Sequence, residues 1–240
     1  MSEVFCPSVK RMYGENVKSI NAFVGCLHEC VYCKPSFQRQ MKRQKCLQCK
    51  RYEPHFHPER LRKKSPRTVD DQFVFFPSSG DPAFATVEEF QTMLSYALRN
   101  PLTTFLIQTK APNFLTYHRF PHNIILDITL ETNLAFYDTP SKFKSYNEIS
   151  LAPSPFTRVA DFYFVQYDRK AVTIEPILQF DDRLVDWITP LKPEFVYVGY
   201  DNHNCKLPEP PLAETLRLID ELSKFTEVRL KTIRPAWFEK

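Results

Sequence analysis

Short apolar segments alternate with longer amphipathic segments along most of the chain. The apolar segments are rich in β-branched and aromatic residues and predict seven strands, at 20–24, 73–76, 103–107, 123–130, 172–178, 195–199 and 227–231. The amphipathic segments predict helices at roughly 35–45, 86–99, 112–119, 153–167, 181–190 and 211–225. Strands that alternate with helices indicate an α/β protein whose parallel sheet is closed or partly closed like a barrel.

The chain shows no internal repeat and no clear interdomain linker, so we expect residues 1–240 to form a single domain. Residues 34–68 interrupt the alternation, because they are long, basic and cysteine-bearing and lie between the first two predicted strands. We interpret this segment as an insertion after the first strand. Two helix starts are marked: Thr86 can cap one helix, and Pro211 is favoured in the first turn of another.

Polar residues follow the predicted strands at the point where each strand ends. In parallel barrels the chemistry lies at the carboxyl ends of the strands, so these residues predict a ring of ligands around one opening. A polar loop is the simpler explanation for most of them, but Glu131, Glu175 and Lys231 adjoin strand positions that would be buried. The full set is Ser78, Ser79, Gly80, Asp81, Gln108, Thr109, Lys110, Thr129, Glu131, Asn133, Glu175, Asp201, Asn202, Cys205 and Lys231.

The composition is that of a protein with a substantial core, since 43% of the 240 residues are hydrophobic and 14% are aromatic. No apolar run reaches the ~20 residues that span a bilayer, and the N-terminal segment 1–14 lacks the apolar core of a signal peptide. We therefore expect a cytoplasmic protein with no membrane contact. Five of the seven cysteines lie between residues 26 and 49, which in a reducing compartment indicates metal binding or redox chemistry.

The net charge of +4 is unevenly distributed, because basic residues concentrate in the segment 39–67. A solvated surface is the simpler interpretation of this segment. A contact surface for phosphates is the other, since phosphates attract lysine and arginine strongly, and it makes nucleic acid a candidate partner. The segment includes Lys42, Arg43, Lys45, Lys50, Arg51, Arg60, Arg62, Lys63, Lys64 and Arg67.

Cys26, Cys30 and Cys33 are close enough in sequence to bring three thiolates to one point. A structural zinc site needs four protein ligands, and a distant fourth such as Cys46 could complete it. A four-iron cluster also usually takes four cysteines. If only three cysteines serve, one iron stays open to a substrate or cofactor.

The segment "CLHECVYC" resembles the cluster motif of the radical S-adenosylmethionine (SAM) superfamily, with Tyr32 before the third cysteine and a predicted strand before the first. "GDP", "TK" and "APSPFTR" resemble spore photoproduct lyase and its relatives. "FHPERL", "QTKAP" and "ETN" resemble a phage- and archaea-associated group of radical SAM proteins of unsettled activity. The resemblance implies a partial parallel (β/α) barrel, usually of six strands where seven are predicted here.

The resemblance also implies a mechanism and a set of cofactor contacts. A [4Fe–4S] cluster on Cys26, Cys30 and Cys33 would bind SAM through its open iron and cleave it reductively to start hydrogen abstraction. An electron donor such as ferredoxin or flavodoxin is then required. By the resemblance, the turn "SSGDP" holds the methionine amino group and "TLETN" contacts the methionine or ribose. The implied SAM-binding residues are Tyr32, Ser79, Gly80, Asp81, Thr109, Lys110, Thr129 and Glu131.

The basic segment and the lyase-like motifs favour nucleic acid or a nucleotide as the substrate, and a peptide or a small metabolite is the alternative. Glu175, Asp201, Asn202 and Lys231 are candidates for substrate contact or proton handling. Photoproduct lyases use a further cysteine downstream of the cluster motif as a hydrogen-atom donor, and this chain has none at the corresponding distance. Cys205 follows the sixth predicted strand and is a candidate substitute, although a free thiol without a role is the simpler interpretation.

A second group of ligand-type residues follows the spacing Cys46-x2-Cys49-x5-His55-x-His57. Two cysteines and two histidines can fill a tetrahedral zinc site. A second iron–sulfur cluster and a purely structural role for the histidines are the alternatives. The competing hypothesis for the whole chain is a zinc-stabilised nucleic-acid-binding module without catalysis, which leaves the polar residues at successive strand ends unexplained.

Overall fold

The computed structural model describes residues 13–239, and these residues contain nine strands. The strands are β1 (Asn16–Ser19), β2 (Phe23–Val24), β3 (His55–Phe56), β4 (Phe73–Phe75), β5 (Phe105–Thr109), β6 (Ile124–Thr129), β7 (Lys170–Ile174), β8 (Phe195–Val198) and β9 (Glu227–Leu230). Seven of them form one parallel sheet in the order β1-β4-β5-β6-β7-β8-β9. The sheet is curled into a half-barrel, which confirms the predicted partial barrel.

The helices lie between successive strands of the sheet, as the alternating pattern predicts. They are α1 (Arg39–Met41), α2 (Leu47–Arg51), α3 (Val87–Leu98), α4 (Pro155–Phe164), α5 (Arg183–Ile188) and α6 (Leu212–Ser223). Thr86 caps α3 as expected: its Oγ1 accepts from Glu89 N at 3.2 Å, and Glu89 Oε2 accepts from Thr86 N at 2.9 Å. Pro211 stands one position before α6 rather than in its first turn.

Two predicted helices take a tighter or looser form than an α-helix. The segment predicted at 112–119 is a 3-10 helix over Pro112–Tyr117. The segment predicted at 35–45 is a π-helix over Lys34–Gln38 that continues into α1. No helix within residues 13–239 combines the length and the apolar character needed to cross a membrane. The segment 1–12, which holds most of the N-terminal region considered for a signal peptide, lies outside the described residues.

The first strand of the sheet is not where the sequence predicts it. The prediction at 20–24 is wrong for the sheet, because β1 pairs with β4 through Asn16 and Ser19 and the chain leaves the sheet after Ile20. Residues Phe23–Val24 instead pair antiparallel with β3 of the inserted segment. The reason is that β1 is an edge strand whose residues "NVKS" are half-buried or exposed, so no apolar run marks it.

The segment 34–68 contains α1, α2 and β3 and is joined to the rest of the chain by the β2–β3 pair. Its end is held near the sheet by Ser65 N, which donates to Asn100 Oδ1 at 2.9 Å. The apolar residues buried around β2 and the insertion form a small cluster of Val24, Met41, Cys49 and Tyr52. The assignment of residues 1–240 to a single domain stays a prediction.

The concave face of the half-barrel is filled by aromatic side chains below the carboxyl ends of the strands. Tyr13, which precedes β1, packs its ring 4.4 Å from Tyr197 of β8 and 5.2 Å from Phe75 of β4. Tyr197 in turn donates a hydrogen bond to Glu15. The segment before β1 therefore bridges the strands on opposite sides of the half-barrel.

Asp127 is a fully buried carboxyl group on the concave face of β6. Thr173 Oγ1 donates to its Oδ2 at 2.7 Å, whereas its Oδ1 has no hydrogen-bond partner among residues 13–239. Burial raises the pKa of Asp127 from 3.8 to about 8, because the ionised form is poorly solvated inside the protein. The carboxyl group is therefore protonated at neutral pH.

We expect Asp127→Asn to stabilise the fold at alkaline pH and to have little effect near pH 4. Between about pH 4 and about pH 8 the native carboxyl keeps a proton that the unfolded chain releases, so the wild-type loses about 1.4 kcal/mol of unfolding free energy per pH unit. The amide does not titrate and escapes this loss. Urea unfolding across this range measures the difference, and parallel pH profiles of the two proteins would contradict a protonated Asp127.

Candidate active site

A cavity of about 560 Å³ opens at the carboxyl ends of the parallel strands. Its wall combines the cysteine loop after β2 with the residues that follow the strands of the sheet. The predicted residues on this wall are Cys26, Cys30, Tyr32, Cys33, Ser78, Ser79, Gly80, Asp81, Gln108, Thr109, Lys110, Thr129, Glu175, Asp201, Asn202 and Lys231. Strand ends that are distant in sequence thus contribute to one site.

Two glycines bring the cysteine loop to the sheet. Gly25 N donates to Ser79 O at 3.0 Å, and Asp81 N donates to Gly25 O at 3.1 Å. Gly25 has a φ of +97°, and a Cβ on it would lie 2.2 Å from Glu53 O. A Cβ on Gly80 would lie 2.8 Å from Gly25 N. The close approach that Gly80 permits is therefore to the backbone of Gly25, and it sets Cys26 beside the turn after β4.

Three thiols lie together on the cavity wall. Cys30 is buried, and its Sγ lies 3.1 Å from Ser150 Oγ. Cys30 and Cys33 hydrogen-bond to each other, which lowers the pKa of Cys30 and raises that of Cys33. Burial raises the pKa of Cys26. Among the cysteines that the structure describes, only these three line the cavity.

Asp81 holds the turn after β4 to its surroundings. His28 Nε2 donates to its Oδ2 at 3.0 Å, as does Lys110 N at 2.8 Å. Its Oδ1 accepts from Thr109 Oγ1 at 2.6 Å and from Ala83 N at 3.0 Å. Burial raises the pKa of Asp81, but these bonds and the charge of His28 outweigh that effect and lower it. Each carboxylate oxygen is doubly engaged, so the group positions the turn.

The sequence analysis assigned no role to His28, although it lies within the cysteine motif. A ring nitrogen of His28, an oxygen of Asp81 and Cys26 Sγ lie within 4.8 Å of one another, a spacing that could hold an ion. The bond to Asp81 already occupies Nε2, and the ring packs 4.9 Å from Phe84. These contacts hold His28 to the turn after β4 and to the residues that follow it.

Glu131 lies beneath the cavity wall and is fully buried. Arg158 Nη1 donates to it at 2.8 Å, Tyr32 OH at 2.5 Å and Tyr146 OH at 3.2 Å, and Lys110 Nζ also donates to it. Burial raises the pKa of Glu131, but the charges of Arg158 and Lys110 outweigh burial and hold it well below its usual range. Glu131 thus fixes Tyr32 and Lys110, which line the cavity, and does not itself reach it.

Sequence reasoning missed Arg158 and Tyr146, which complete the network around Glu131. Arg158 Nη2 donates to Tyr146 OH at 2.7 Å. The only signal for Arg158 is its place in "APSPFTR", because a partner 27 residues away cannot be read from local spacing.

The part of the cavity wall that follows β7, β8 and β9 is called the far wall here. It carries an ion pair between Glu175 and Lys231. Asn202 Nδ2 donates to Glu175 Oε1 at 3.5 Å, and Lys231 Nζ lies 4.0 Å above the ring of Tyr13. Burial raises the pKa of Glu175, although the charge of Lys231 opposes this. These polar groups face the same cavity as the thiols and are accessible to a molecule within it.

Two other predicted residues serve the loop after β8. Asp201 accepts from His203 N at 3.0 Å and from Cys205 N at 2.6 Å. Cys205 lies outside the cavity wall, packed against the apolar cluster that contains Cys30 and Tyr32. Burial, with the charge of Asp201, raises the pKa of Cys205 to about 12. A hydrogen-atom donor must reach the substrate, and the position of Cys205 does not favour that role.

The basic segment 39–67 begins among residues that belong to the cavity wall. Ser36, Phe37 and Gln40 contribute to the wall, and the basic side chains beyond them are exposed apart from Arg60. Arg60 Nη1 donates to Asn21 O at 2.7 Å and is part of the structure of the loop. None of the basic side chains of the segment lines the cavity, and its end lies near the amino end of β5, where Thr68 N donates to Leu102 O at 3.1 Å.

No family model and no curated protein matches the chain. Among solved structures, a cysteine-to-alanine mutant of spore photoproduct lyase with dinucleoside spore photoproduct is similar to it. The two share 10% sequence identity and align with a TM-score of 0.57, over 89% of this chain and 76% of that chain. The similarity at this identity is one of fold. The chain therefore has the partial (β/α) barrel fold of spore photoproduct lyase, as its cysteine motif and alternating strands and helices predicted.

Proposed function

We propose that this chain is a radical SAM enzyme that holds a [4Fe–4S] cluster on Cys26, Cys30 and Cys33. The proposal rests on one observation: these three thiols alone among the described cysteines share a cavity with the polar residues at the strand ends. Three thiolates suit a cluster with one open iron better than a structural zinc site, which needs four protein ligands. When bound, the cluster supplies the electron that cleaves SAM to methionine and a 5′-deoxyadenosyl radical, which takes a hydrogen atom from the substrate.

The residues of the chain bind and orient the reactants. Lys110 is buried beside Tyr32 and Glu131, and the charges of Cys30 and Glu131 outweigh burial and raise its pKa. It therefore stays cationic and can attract a carboxylate of SAM. The hydroxyl groups of Thr129 and Ser79 offer hydrogen bonds on the same wall. The cavity falls within the range of about 300–1,000 Å³ that small-molecule sites occupy.

We assign the far wall to the substrate. Glu175, Lys231 and Asn202 offer a carboxylate, an ammonium and an amide to a polar molecule. We propose a nucleotide or nucleic acid as the substrate class, because the segment 39–67 contributes Gln40 to the cavity wall and carries exposed basic residues that attract phosphates. The dinucleoside bound to the similar lyase supports the same class. Ferredoxin or flavodoxin is our proposed electron donor, and the cytoplasm our proposed compartment.

Anaerobic reconstitution with iron and sulfide tests the proposal. We expect a reducible four-iron cluster, and formation of 5′-deoxyadenosine and methionine from added SAM and dithionite. The matched control omits dithionite and is expected to leave SAM intact. A protein that binds zinc and nucleic acid but neither assembles the cluster nor cleaves SAM would overturn the proposal in favour of a zinc-stabilised binding module.

A further inference from the structure

A second group of ligand atoms converges in the inserted segment, away from the cavity wall. Cys46, Cys49, His55 and His57 each offer one atom, and all four atoms lie within 4.8 Å of one another. His55 Nε2 lies 3.6 Å from Cys46 Sγ and 3.3 Å from Cys49 Sγ. His57 Nε2 lies 3.2 Å from Cys49 Sγ. Two sulfur and two nitrogen atoms thus face one point.

These separations match the edges of a tetrahedron around a single ion. Zinc bonds of about 2.3 Å to sulfur and about 2.0–2.1 Å to nitrogen give, at the tetrahedral angle, a sulfur–nitrogen separation of about 3.6 Å. The observed sulfur–nitrogen contacts run from 3.2 to 3.6 Å. An iron–sulfur cluster holds its ligands on different metal atoms and spreads them further apart, so the group suits one ion.

The far nitrogens of both imidazole rings are fixed by acceptors outside the group. His55 Nδ1 donates to Glu53 O at 2.7 Å, and His57 Nδ1 donates to Glu59 Oε1 at 2.8 Å. A proton held on Nδ1 leaves the lone pair of Nε2 free, which is the arrangement that metal-binding histidines adopt. Arg60 Nη2 also donates to Cys49 Sγ at 3.9 Å.

We propose that Cys46, Cys49, His55 and His57 form a structural zinc site, distinct from the three thiols of the cavity. Four protein ligands leave no open position, which is the mark of a structural site. Mixed thiolate and imidazole ligation in a tetrahedron favours zinc over calcium or magnesium. The inference does not depend on the proposed function.

The site has a structural task in this fold. The elements of the insertion are short, since α2 has 5 residues and β3 has 2, and segments of this size need a metal or similar staple to hold together. His55 and His57 flank the β3 residue that pairs with Phe23, and His57 N donates to Ala22 O at 2.6 Å. Zinc would therefore fix the insertion against β2.

Metal analysis of the full chain and two matched variants tests the proposal. We expect stoichiometric zinc in the wild-type, loss of zinc with retention of reconstituted iron in Cys46→Ser/Cys49→Ser, and the reverse in Cys26→Ala/Cys30→Ala/Cys33→Ala. A wild-type protein without zinc, or zinc retained in Cys46→Ser/Cys49→Ser, would overturn the zinc site. Loss of the proposed SAM chemistry would instead appear as missing iron, which distinguishes the two failures.

A second measurement keeps the test valid if Cys46→Ser/Cys49→Ser does not fold. Cobalt is exchanged for zinc in Cys26→Ala/Cys30→Ala/Cys33→Ala, where no iron–sulfur absorption interferes. We expect intense visible bands of tetrahedral cobalt with sulfur-to-cobalt charge transfer. Weak bands typical of octahedral cobalt, or no cobalt uptake, would contradict the assigned ligands.

Discussion

Replacing Cys30 with alanine is expected to leave a folded protein that binds no four-iron cluster and no longer cleaves SAM. Cys30 is the most buried of the three thiols, and its contacts through Sγ are with Cys33 and Ser150. Removing a metal ligand lowers activity more than removing a residue that only hydrogen-bonds to a ligand. We therefore expect the rate of 5′-deoxyadenosine formation to fall by more than about 100-fold.

Cys205→Ala is the matched control for this experiment. The same atoms are removed from a half-buried cysteine outside the cavity wall, so iron content and SAM cleavage are expected to match the wild-type. Iron and sulfide assays, the visible spectrum of the cluster and chromatography of 5′-deoxyadenosine give the readouts. Full iron content and undiminished cleavage in Cys30→Ala would rule out the assigned ligand set.

Replacing Glu131 with glutamine is expected to lower the free energy of unfolding by about 3–5 kcal/mol, the cost of removing one partner of a buried ion pair. Neither Glu131 nor Arg158 is exposed to solvent, and Lys110 is nearly buried. The amide keeps the shape of the side chain but leaves two buried cations without a counter-charge. Tyr32 and Lys110 would then lose their common anchor on the cavity wall.

Glu194→Gln provides the control, because it removes a carboxylate of the same kind from a half-exposed pair. Glu194 Oε1 accepts from Arg169 Nε at 2.8 Å, with both side chains 35% exposed, and pairs of this type contribute about 0–1 kcal/mol. Urea unfolding of both variants and the wild-type measures the difference. Equal losses of unfolding free energy in the two variants would contradict the role of Glu131 as the counter-charge of two buried cations.

The stabilisation that Glu131 gives the fold is expected to decrease at low pH. The pKa of Glu131 in the fold lies below its value of 4.5 in the unfolded chain, so its contribution is fully present above about pH 4.5 and declines as the pH falls toward the folded pKa. The difference in unfolding free energy between the wild-type and Glu131→Gln is therefore expected to decrease as the pH is lowered below about 4.5.

The interior strands of the sheet could be predicted because their positions are buried on both faces and read as continuous apolar runs. All residues of β6 and β8 are buried, for example, and both strands lie within the predicted ranges. The edge strand β1 could not be predicted in this way, since its residues are polar and partly exposed. The predicted helix at 112–119 is a 3-10 helix, a distinction that apolar periodicity does not make over so short a segment.

The site was partly predictable for the same reason. Parallel strands end at one edge, so residues that follow them could be placed together from the strand positions alone. Whether a polar side chain reaches the cavity or is held beneath it depends on partners distant in sequence. Glu131 and Arg158 are held beneath the cavity wall, whereas Lys231 lines the cavity. No local sequence pattern distinguishes the two cases.

The ring of Tyr13 forms the floor of the cavity, because it packs on the concave face and lies 4.0 Å beneath Lys231 Nζ. This floor comes from the segment before the sheet rather than from a strand, so the cavity is sealed from below by a residue outside the barrel framework. If that ring were lost, water and oxygen could enter the cavity from underneath. Under the proposed function, SAM would then be consumed without product.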